Sequence, residues 1–305
     1  MIAARLAAVL QNMDGREMLN RQRVLVSLLR RAGRPVSKID LMKWCFLLRN
    51  ETPSQGGSAF YHFLPYHYGP FSFCLYREID QLICAGLVRS SGNRFWEACG
   101  NDHEVQRLSN AVKQDIDRIV RRCNEESTSQ LMDYVYEHYP WFTINSRREA
   151  HATRRVASLA VYTAGYEGQH VDEFLNMVLL NGIQQLVDVR NNPISRRYGF
   201  HKSTLSRLCS SLDIEYVHRP ELGIPPALRE NIRTREDYES LFTRYENETL
   251  TSRVAAVEQV SQLVQTKATA LLCVEADPCM CHRARLAKAV SEQSGLPVRH
   301  LGLSE

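Results

Sequence analysis

The second half of the chain alternates between apolar runs of strand length and helical patterns, which restricts its fold more than any other feature. Predicted strands cover residues 159–164, 185–190, 214–218, 269–274 and 297–301, and predicted helices cover residues 171–181, 203–212, 236–266 and 284–294. Strands that alternate with helices form a parallel sheet onto which the helices pack. We therefore predict an α/β domain over residues 158–305, with a largely parallel sheet covered by helices.

The first hundred residues show a different pattern. Helical periodicity covers residues 17–34, resumes after Ser37 and returns from Phe73 to Ala85, before Gly86. The segment Ser90-Ser-Gly92-Asn93 then indicates a β-hairpin. Three helices followed by a hairpin are typical of a winged helix, a DNA-binding variant of the helix-turn-helix. Residues 1–100 are therefore predicted to form a mostly helical, winged-helix-like domain.

Short motifs in this first domain resemble the Panacea domain, which is related to antitoxins of the SocA type. They are the turn Tyr68-Gly69-Pro70-Phe71, the helix with Leu75-Tyr76, and the exit Gly86-Leu87-Val88. The resemblance implies an interaction module of a kind associated with toxin control or phage defence. Because two carboxylates accompany Arg77 on the third helix, a protein partner remains open beside DNA.

Residues 101–157 are predicted to form a helical connector, patterned from Glu104 to Asp133, and a charged linker. The net charge of +4 is too small to indicate a polyanionic partner by itself. No run approaches the roughly 18 apolar residues of a membrane span, and no signal peptide is recognised. Nine cysteines, mostly inside apolar patterns, suggest reduced thiols and a cytoplasmic protein.

Polar side chains follow the predicted strands of the second domain, where ligands bind in open α/β sheets. The candidate catalytic residues are Glu275, Asp188, Cys281 and His282. The candidate substrate-binding residues are Arg190, Arg196, Arg283, Tyr162, Tyr166, Glu221 and His218. The arginines suit phosphate or carboxylate, and the tyrosines suit stacking on a base or sugar. Internal pairing of Arg190 with a nearby carboxylate is an equal alternative.

Two carboxylates at neighbouring strand ends, Glu275 and Asp188, indicate acid–base chemistry, although a salt-bridged core network is the competing interpretation. Cys281 is a candidate thiolate nucleophile because His282 and Arg283 follow it and cationic neighbours lower a thiol pKa. Cys279, Cys281 and His282 also offer metal ligands. They lack the usual C-x-x-C spacing and a second ligand pair, so no metal site is predicted from them.

Five ordered blocks of the second domain resemble the family called domain of unknown function 488. They are Tyr162 to Gly168, Leu186 to Pro193, Ser195 to Phe200, Tyr216 to Gly223 and Cys273 to Arg283. The resemblance spans residues 159–301 and implies a fold and a residue pattern rather than a reaction.

These features together predict a nucleic-acid-directed enzyme that binds DNA and hydrolyses an N-glycosidic bond without a cofactor, as a DNA glycosylase does, in a phage-defence setting. A second hypothesis is a nuclease that holds Mg²⁺ through Asp188, Glu221, Glu275 and Asp277. A third is a non-enzymatic sensor of nucleotide or DNA, a transcriptional regulator or an antitoxin-like protein. The sequence leaves the oligomeric state open.

Overall fold

The computed structural model describes residues 18–99, 107–230 and 232–302. The chain divides into two compact units, Met1–Thr153 and Arg154–Glu305. Two predicted helix starts, at residue 17 and at residues 104–106, lie outside the described residues. None of the helices in the described ranges has both the length and the hydropathy of a membrane-spanning segment.

The first unit consists of helices and short antiparallel strands. Its elements are α1 (Asn20–Ala32), β1 (Val36–Ser37), α2 (Lys38–Glu51), β2 (Leu64–Tyr66), β3 (Gly69–Phe71), α3 (Phe73–Cys84), β4 (Val88–Ser91), β5 (Phe95–Ala98), α4 (Asn110–Glu125) and α5 (Thr128–His138). Strands β4 and β5 form a hairpin, and β1 adds to β5, so the sheet order is β1-β5-β4. Three helices therefore precede a hairpin, in the order that the sequence predicts.

Four of these helices have a serine as the N-cap residue. The serine hydroxyl accepts a hydrogen bond from a backbone N–H of the first turn, which has no partner within the helix. The capping residues are Ser37, Ser72, Ser109 and Ser127.

One hydrophobic core holds the first unit together. Trp44 and Phe46 of α2 are fully buried in it, and Ile116 of α4 and Val135 of α5 belong to the same cluster. The segment predicted as a connector thus supplies two helices to this core.

The second unit is the α/β domain. Its elements are β6 (Val161–Gly165), α6 (Val171–Leu180), β7 (Gln185–Asp188), α7 (Lys202–Ser210), β8 (Glu215–His218), α8 (Arg235–Arg244), α9 (Val254–Thr266), β9 (Thr269–Cys273), α10 (His282–Ser294) and β10 (Val298–His300). A π-helical segment, Tyr245–Leu250, follows α8, and 3-10 turns lie at Pro220–Leu222, Pro226–Arg229 and Pro278–Met280.

The five strands form one sheet in the order β10-β6-β9-β7-β8, and every pair is parallel. The predicted parallel sheet is therefore confirmed. All five residues of the central strand β9 are buried. Since successive residues of a strand point to opposite faces, this strand is covered on both faces. On one face, Leu271 and Cys273 pack with Val260 and Val264 of α9 and Leu286 of α10.

The register of the three central strands brings their carboxyl ends together. Gly165 of β6 pairs with Cys273 of β9, and Asp188 of β7 pairs with Leu272. Loops that leave these strands therefore meet at one edge of the sheet, where ligands bind in open α/β folds.

Candidate functional site

The loop after β9 passes directly over the end of β6 at Gly165. A Cβ atom at this position would lie 1.8 Å from the carbonyl oxygen of Glu275, so a side chain cannot be accommodated. The backbone N–H groups of Tyr166 and Glu167 both donate to the carbonyl of Val274, at 3.0 and 2.8 Å. The backbone of Glu275 is thereby fixed against the end of the neighbouring strand.

Arg283 of α10 holds the same loop from the other side. Its guanidinium donates to the carbonyl oxygens of Glu275 and Ala276 and, at 3.4 Å, to the hydroxyl of Thr163. The side chain is buried. Arg283 was a candidate substrate-binding residue, but its hydrogen bonds show that it positions the loop that carries Glu275.

Asp188 and Arg190 form a buried ion pair at the end of β7. Arg190 Nε and Nη2 lie 2.8 and 2.5 Å from the two carboxylate oxygens of Asp188, and the residues are 4% and 0% exposed. The Tyr216 hydroxyl also donates to Asp188. Arg190 further donates to the Tyr166 hydroxyl at 2.8 Å and to the Phe200 carbonyl at 2.9 Å. Of the two interpretations of Asp188, this geometry matches the salt-bridged core network rather than acid–base chemistry.

The two candidate tyrosines have different environments. Tyr166 stacks on Phe200 with ring centroids 3.9 Å apart and 9° between the planes, and it lines a cavity. Tyr162 is buried, and its hydroxyl donates to the Ser158 carbonyl at 3.0 Å. Tyr162 is therefore part of the sheet packing, and Tyr166 alone of the two faces the site.

Three other candidate binding residues do not line the two cavities described below. His218 Nε2 lies 2.9 Å from the carbonyl oxygen of Arg190, so its ring stabilises the end of β7. Arg196 is exposed on the loop after β7, and Glu221 lies in the turn Pro220–Leu222. Neither Arg196 nor Glu221 lines either cavity.

Cys273, Glu275, Cys281 and His282 form what we call the thiol cluster. Glu275 Oε2 lies 3.1 Å from Cys273 Sγ and 2.9 Å from Cys281 Sγ, so one carboxylate oxygen is within hydrogen-bonding distance of both sulfurs. His282 Nδ1 lies 3.8 Å from the first sulfur and 4.0 Å from the second. The strand β9 ends at Cys273, and Cys281 is the N-cap of α10. Two elements thus bring together residues eight positions apart.

The thiol cluster differs from the cysteines selected in the sequence. Cys279 is exposed, and its backbone N–H donates to Asp277 Oδ1 at 2.8 Å. Cys273, rather than Cys279, is the second cysteine that lies close to Cys281 and His282. Because Cys273 is the last residue of an apolar run, the sequence predicts a core thiol there. Only its closeness to Glu275 in the sequence indicates a place in the site.

Mutual hydrogen bonding determines how the cluster shares its protons. Burial raises the pKa of the Glu275 carboxyl, and the nearby Cys281 raises it further. Burial by itself would raise the pKa of Cys281, but hydrogen bonding with Cys273 and with His282 outweighs it and holds that pKa well below the usual thiol value. Hydrogen bonding to Cys281 raises the pKa of Cys273 well above that value. The cluster therefore favours one thiolate, at Cys281.

Two small cavities flank the cluster and share Arg229 and Ile224. The first, about 70 Å³, is lined by Glu275, Cys281 and His282 together with apolar side chains of α8. The second, about 80 Å³, is lined by Tyr166, Arg190, Asn191, Asn192 and Cys273, among others.

Arg229 lies between these cavities, with its Nη1 atom 3.4 Å from Glu275 Oε1. Sequence patterns did not identify Arg229, because it comes from a 3-10 turn in the long irregular segment between β8 and α8. Asn191 and Asn192 precede Pro193, and in the sequence this pattern indicates only a turn.

The carboxylates proposed to hold Mg²⁺ do not come together. Within the described residues, the one group of three or more His, Cys, Asp or Glu side chains close enough to share a metal is Cys273, Cys281 and His282. Asp188, Glu221, Glu275 and Asp277 form no such group there. The arrangement does not support the magnesium-dependent nuclease.

A third cavity, of about 280 Å³, lies in the first unit between α2 and the β2–β3 hairpin. Its walls include Met42, Tyr66, Phe71 and Tyr76, with Lys43 among the lining residues. His67 and Tyr68, at the tip of the β2–β3 hairpin, also line it. None of the candidate catalytic residues is in this unit.

Comparison with curated proteins gives no match, and neither does comparison with solved structures. A family model does match, over residues 170–290, and its description is Domain of unknown function DUF488. The matched range includes Asp188, Arg190, Arg229 and the whole thiol cluster. The second unit of this chain therefore contains a DUF488 domain.

Proposed function

We propose that the second unit hydrolyses an N-glycosidic bond in a nucleic acid or nucleotide, with Glu275 as the general acid–base. The observation that carries the proposal is the position of the Glu275 carboxylate. It lines a cavity at the carboxyl edge of a parallel sheet, and the Arg229 guanidinium lies 3.4 Å away. A carboxylate in such a cavity can activate water, and an adjacent guanidinium can hold an anionic substrate group.

The surroundings of Glu275 support a ligand that combines a base, a sugar and a phosphate. Arg229 is about one-third exposed between the two cavities, and a guanidinium makes bidentate contacts with phosphate. The second cavity offers the amides of Asn191 and Asn192 and the ring of Tyr166. Amides can hydrogen-bond the edge of a base, and an aromatic ring can stack on its face.

The proposed reaction uses one water molecule. Glu275 takes a proton from the water while the water oxygen bonds to the anomeric carbon. The carbon–nitrogen bond breaks, and the departing base leaves with its electron pair and receives the proton from Glu275. Because Asp188 is held by Arg190 and Tyr216, Glu275 is the one carboxylate of the predicted pair to which we assign a catalytic role.

The hairpin of the first unit supports DNA, rather than a free nucleotide, as the substrate. Its hairpin tip is exposed and carries Arg94, and in winged helices this hairpin contacts the DNA backbone. A protein partner for the first unit is the alternative, since α3 exposes the carboxylate of Asp80 as well as Arg77, while Glu78 is buried in an ion pair with Arg21.

The test is mass spectrometry of the products after incubation with nucleotides and with plain and base-modified duplex DNA. We expect free base and abasic strands from the wild-type protein. Glu275→Gln should release base at least about 100-fold more slowly, because general acid–base catalysis contributes on the order of 10²–10⁴. Glu258→Gln, which removes an exposed carboxylate from α9, should behave like the wild-type protein.

Three other results would each remove the proposal. Cut strands without free base would identify a nuclease, and bound nucleotide without any product would identify a sensor. Equal base release by the wild-type protein and a folded Glu275→Gln variant would remove Glu275 from the mechanism.

A further inference from the structure

We propose that Cys273, Cys281 and His282 bind a transition-metal ion, and that Zn²⁺ is the ion this ligand set fits best. The three side chains converge from the end of β9 and the start of α10. One possible ligand atom from each lies within 4.8 Å of the other two. All three residues are at most 2% exposed, so the ligands are shielded from bulk water.

The two sulfur–nitrogen distances are close to those of a tetrahedral zinc site. Zinc–sulfur bonds of about 2.3 Å and zinc–nitrogen bonds of about 2.0 Å place neighbouring ligand atoms roughly 3.5 to 3.8 Å apart. The observed separations from His282 Nδ1 are 3.8 Å to Cys273 Sγ and 4.0 Å to Cys281 Sγ. Both sulfur–nitrogen separations are therefore within about half an ångström of those in a zinc site, and all three ligand atoms lie within 4.8 Å of one another.

The imidazole of His282 is oriented for metal binding. Its Nε2 atom lies 3.3 Å from the carbonyl oxygen of Val189. Because a carbonyl oxygen can only accept, Nε2 carries the proton of the neutral ring, which leaves the Nδ1 lone pair for a metal. Nδ1 is the atom that faces the two sulfurs. A backbone carbonyl that fixes the tautomer in this way is the usual support of a histidine metal ligand.

The Glu275 carboxylate supplies the fourth side of the site. Its Oε2 atom is within 3.1 Å of both sulfurs, and the side chain lines the first cavity. It can bind the metal directly or hydrogen-bond a water in the fourth position, as catalytic zinc sites with three protein ligands require. Both sulfurs would bind the ion as thiolates.

The ligand chemistry selects the kind of ion. Two thiolates and an imidazole suit zinc and other borderline or soft ions, whereas Mg²⁺ prefers oxygen ligands. The proposed ion therefore differs from the Mg²⁺ of the nuclease hypothesis. Binding at this cluster does not depend on the proposed hydrolysis, and it is measured without substrate.

The experiment is metal analysis of the full chain purified without chelator, followed by X-ray absorption at the zinc edge. We expect about one zinc ion per chain, with two sulfur neighbours and at least one nitrogen neighbour. Replacing zinc with Co²⁺ should give the visible absorption of tetrahedral, thiolate-bound cobalt. Both measurements use the wild-type protein, so they do not depend on whether a variant folds.

Variants then identify the ligands. Cys273→Ser, Cys281→Ser and His282→Gln should each weaken metal binding by at least about 100-fold, the upper end of what losing an outer-shell contact costs. Cys279→Ser is the matched control, because it removes an exposed thiol from the same loop, and it should bind like the wild-type protein.

Three outcomes would overturn the metal site. They are a folded wild-type protein that takes up neither zinc nor cobalt, a zinc ion surrounded only by oxygen and nitrogen, or a loss in Cys279→Ser equal to that in Cys281→Ser. None of these outcomes bears on the proposed hydrolysis, because metal binding is measured without substrate.

Discussion

Lys43 is a buried amine in the first unit, and its burial changes how charge contributes to stability. It is 2% exposed, and its ammonium donates to the carbonyl oxygens of Tyr68 and, at 3.3 Å, Pro70. Burial lowers the pKa of Lys43 to about 7 from its ordinary value of 10.5, and the charge of Asp40 opposes this shift only in part.

This shift predicts a pH dependence of stability. Between about pH 7 and pH 10.5 the unfolded chain holds more protons on Lys43 than the folded chain does, so the free energy of unfolding rises with pH. We expect a rise of about 2 kcal/mol from pH 7 to pH 9 that is absent in Lys43→Met. The tryptophans at positions 44, 96 and 141 are all in the first unit, so tryptophan fluorescence during urea unfolding measures it.

The comparison between the two proteins isolates this group from every other titration. Equal slopes of stability against pH in the wild-type protein and Lys43→Met would show that Lys43 keeps an ordinary pKa. A fall in wild-type stability over this range, relative to the variant, would contradict the direction of the shift.

At the scale of elements, the Asp188–Arg190 pair connects three parts of the second unit. Arg190 extends from the end of β7 to the Phe200 carbonyl, and Tyr216 of β8 donates to Asp188. Because both charges are buried, removal of one leaves the other uncompensated, which typically costs 3–5 kcal/mol. The pair therefore stabilises the edge of the sheet at which the site lies.

Asp188→Asn should accordingly lower the free energy of unfolding by about 3 kcal/mol. The double variant Asp188→Asn, Arg190→Met should lose less than the sum of the two single variants, since it leaves no buried charge unpaired. Urea unfolding followed by circular dichroism supplies the four free energies. Unchanged stability in Asp188→Asn, with loss of turnover, would instead return Asp188 to the catalytic role that its sequence position suggested.

The order of elements was predictable from sequence because periodicity is a local property. The five parallel strands lie within a few residues of the predicted segments, and the predicted sheet edge does hold Tyr166, Glu275, Cys281 and His282. The sequence pattern did not show which polar side chains at this edge are buried. Whether Arg190 binds a ligand or Asp188 depends on packing across the sheet.

Two residues of the site, Arg229 and Cys273, could not be identified from the sequence, and the physical reasons are related. Arg229 reaches Glu275 from an irregular segment, whose path depends on distant contacts such as the hydrogen bond from the Tyr245 hydroxyl to the Leu222 carbonyl. Cys273 ends an apolar strand, and its thiol became a candidate ligand only when α10 brought His282 near it. Such contacts between distant segments are set by the fold and leave no local pattern.

At the scale of the whole molecule, each unit has its own hydrophobic core, and the thiol cluster lies entirely in the second. A fragment of residues 154–305 should therefore fold and keep the metal site and the base-releasing activity on free nucleotides. If the first unit binds DNA, the same fragment should bind duplex DNA at least about tenfold more weakly than the full chain.

Fluorescence anisotropy with labelled duplex DNA, over a series of salt concentrations, measures this difference. Contacts between basic side chains and phosphates release counterions, so the full chain should show the steeper dependence of affinity on salt. Equal affinities and equal slopes would place DNA binding, if there is any, in the second unit. The first unit, with the exposed carboxylate Asp80 on α3 and the 280 Å³ aromatic cavity, would then be the part of the chain to test against protein partners.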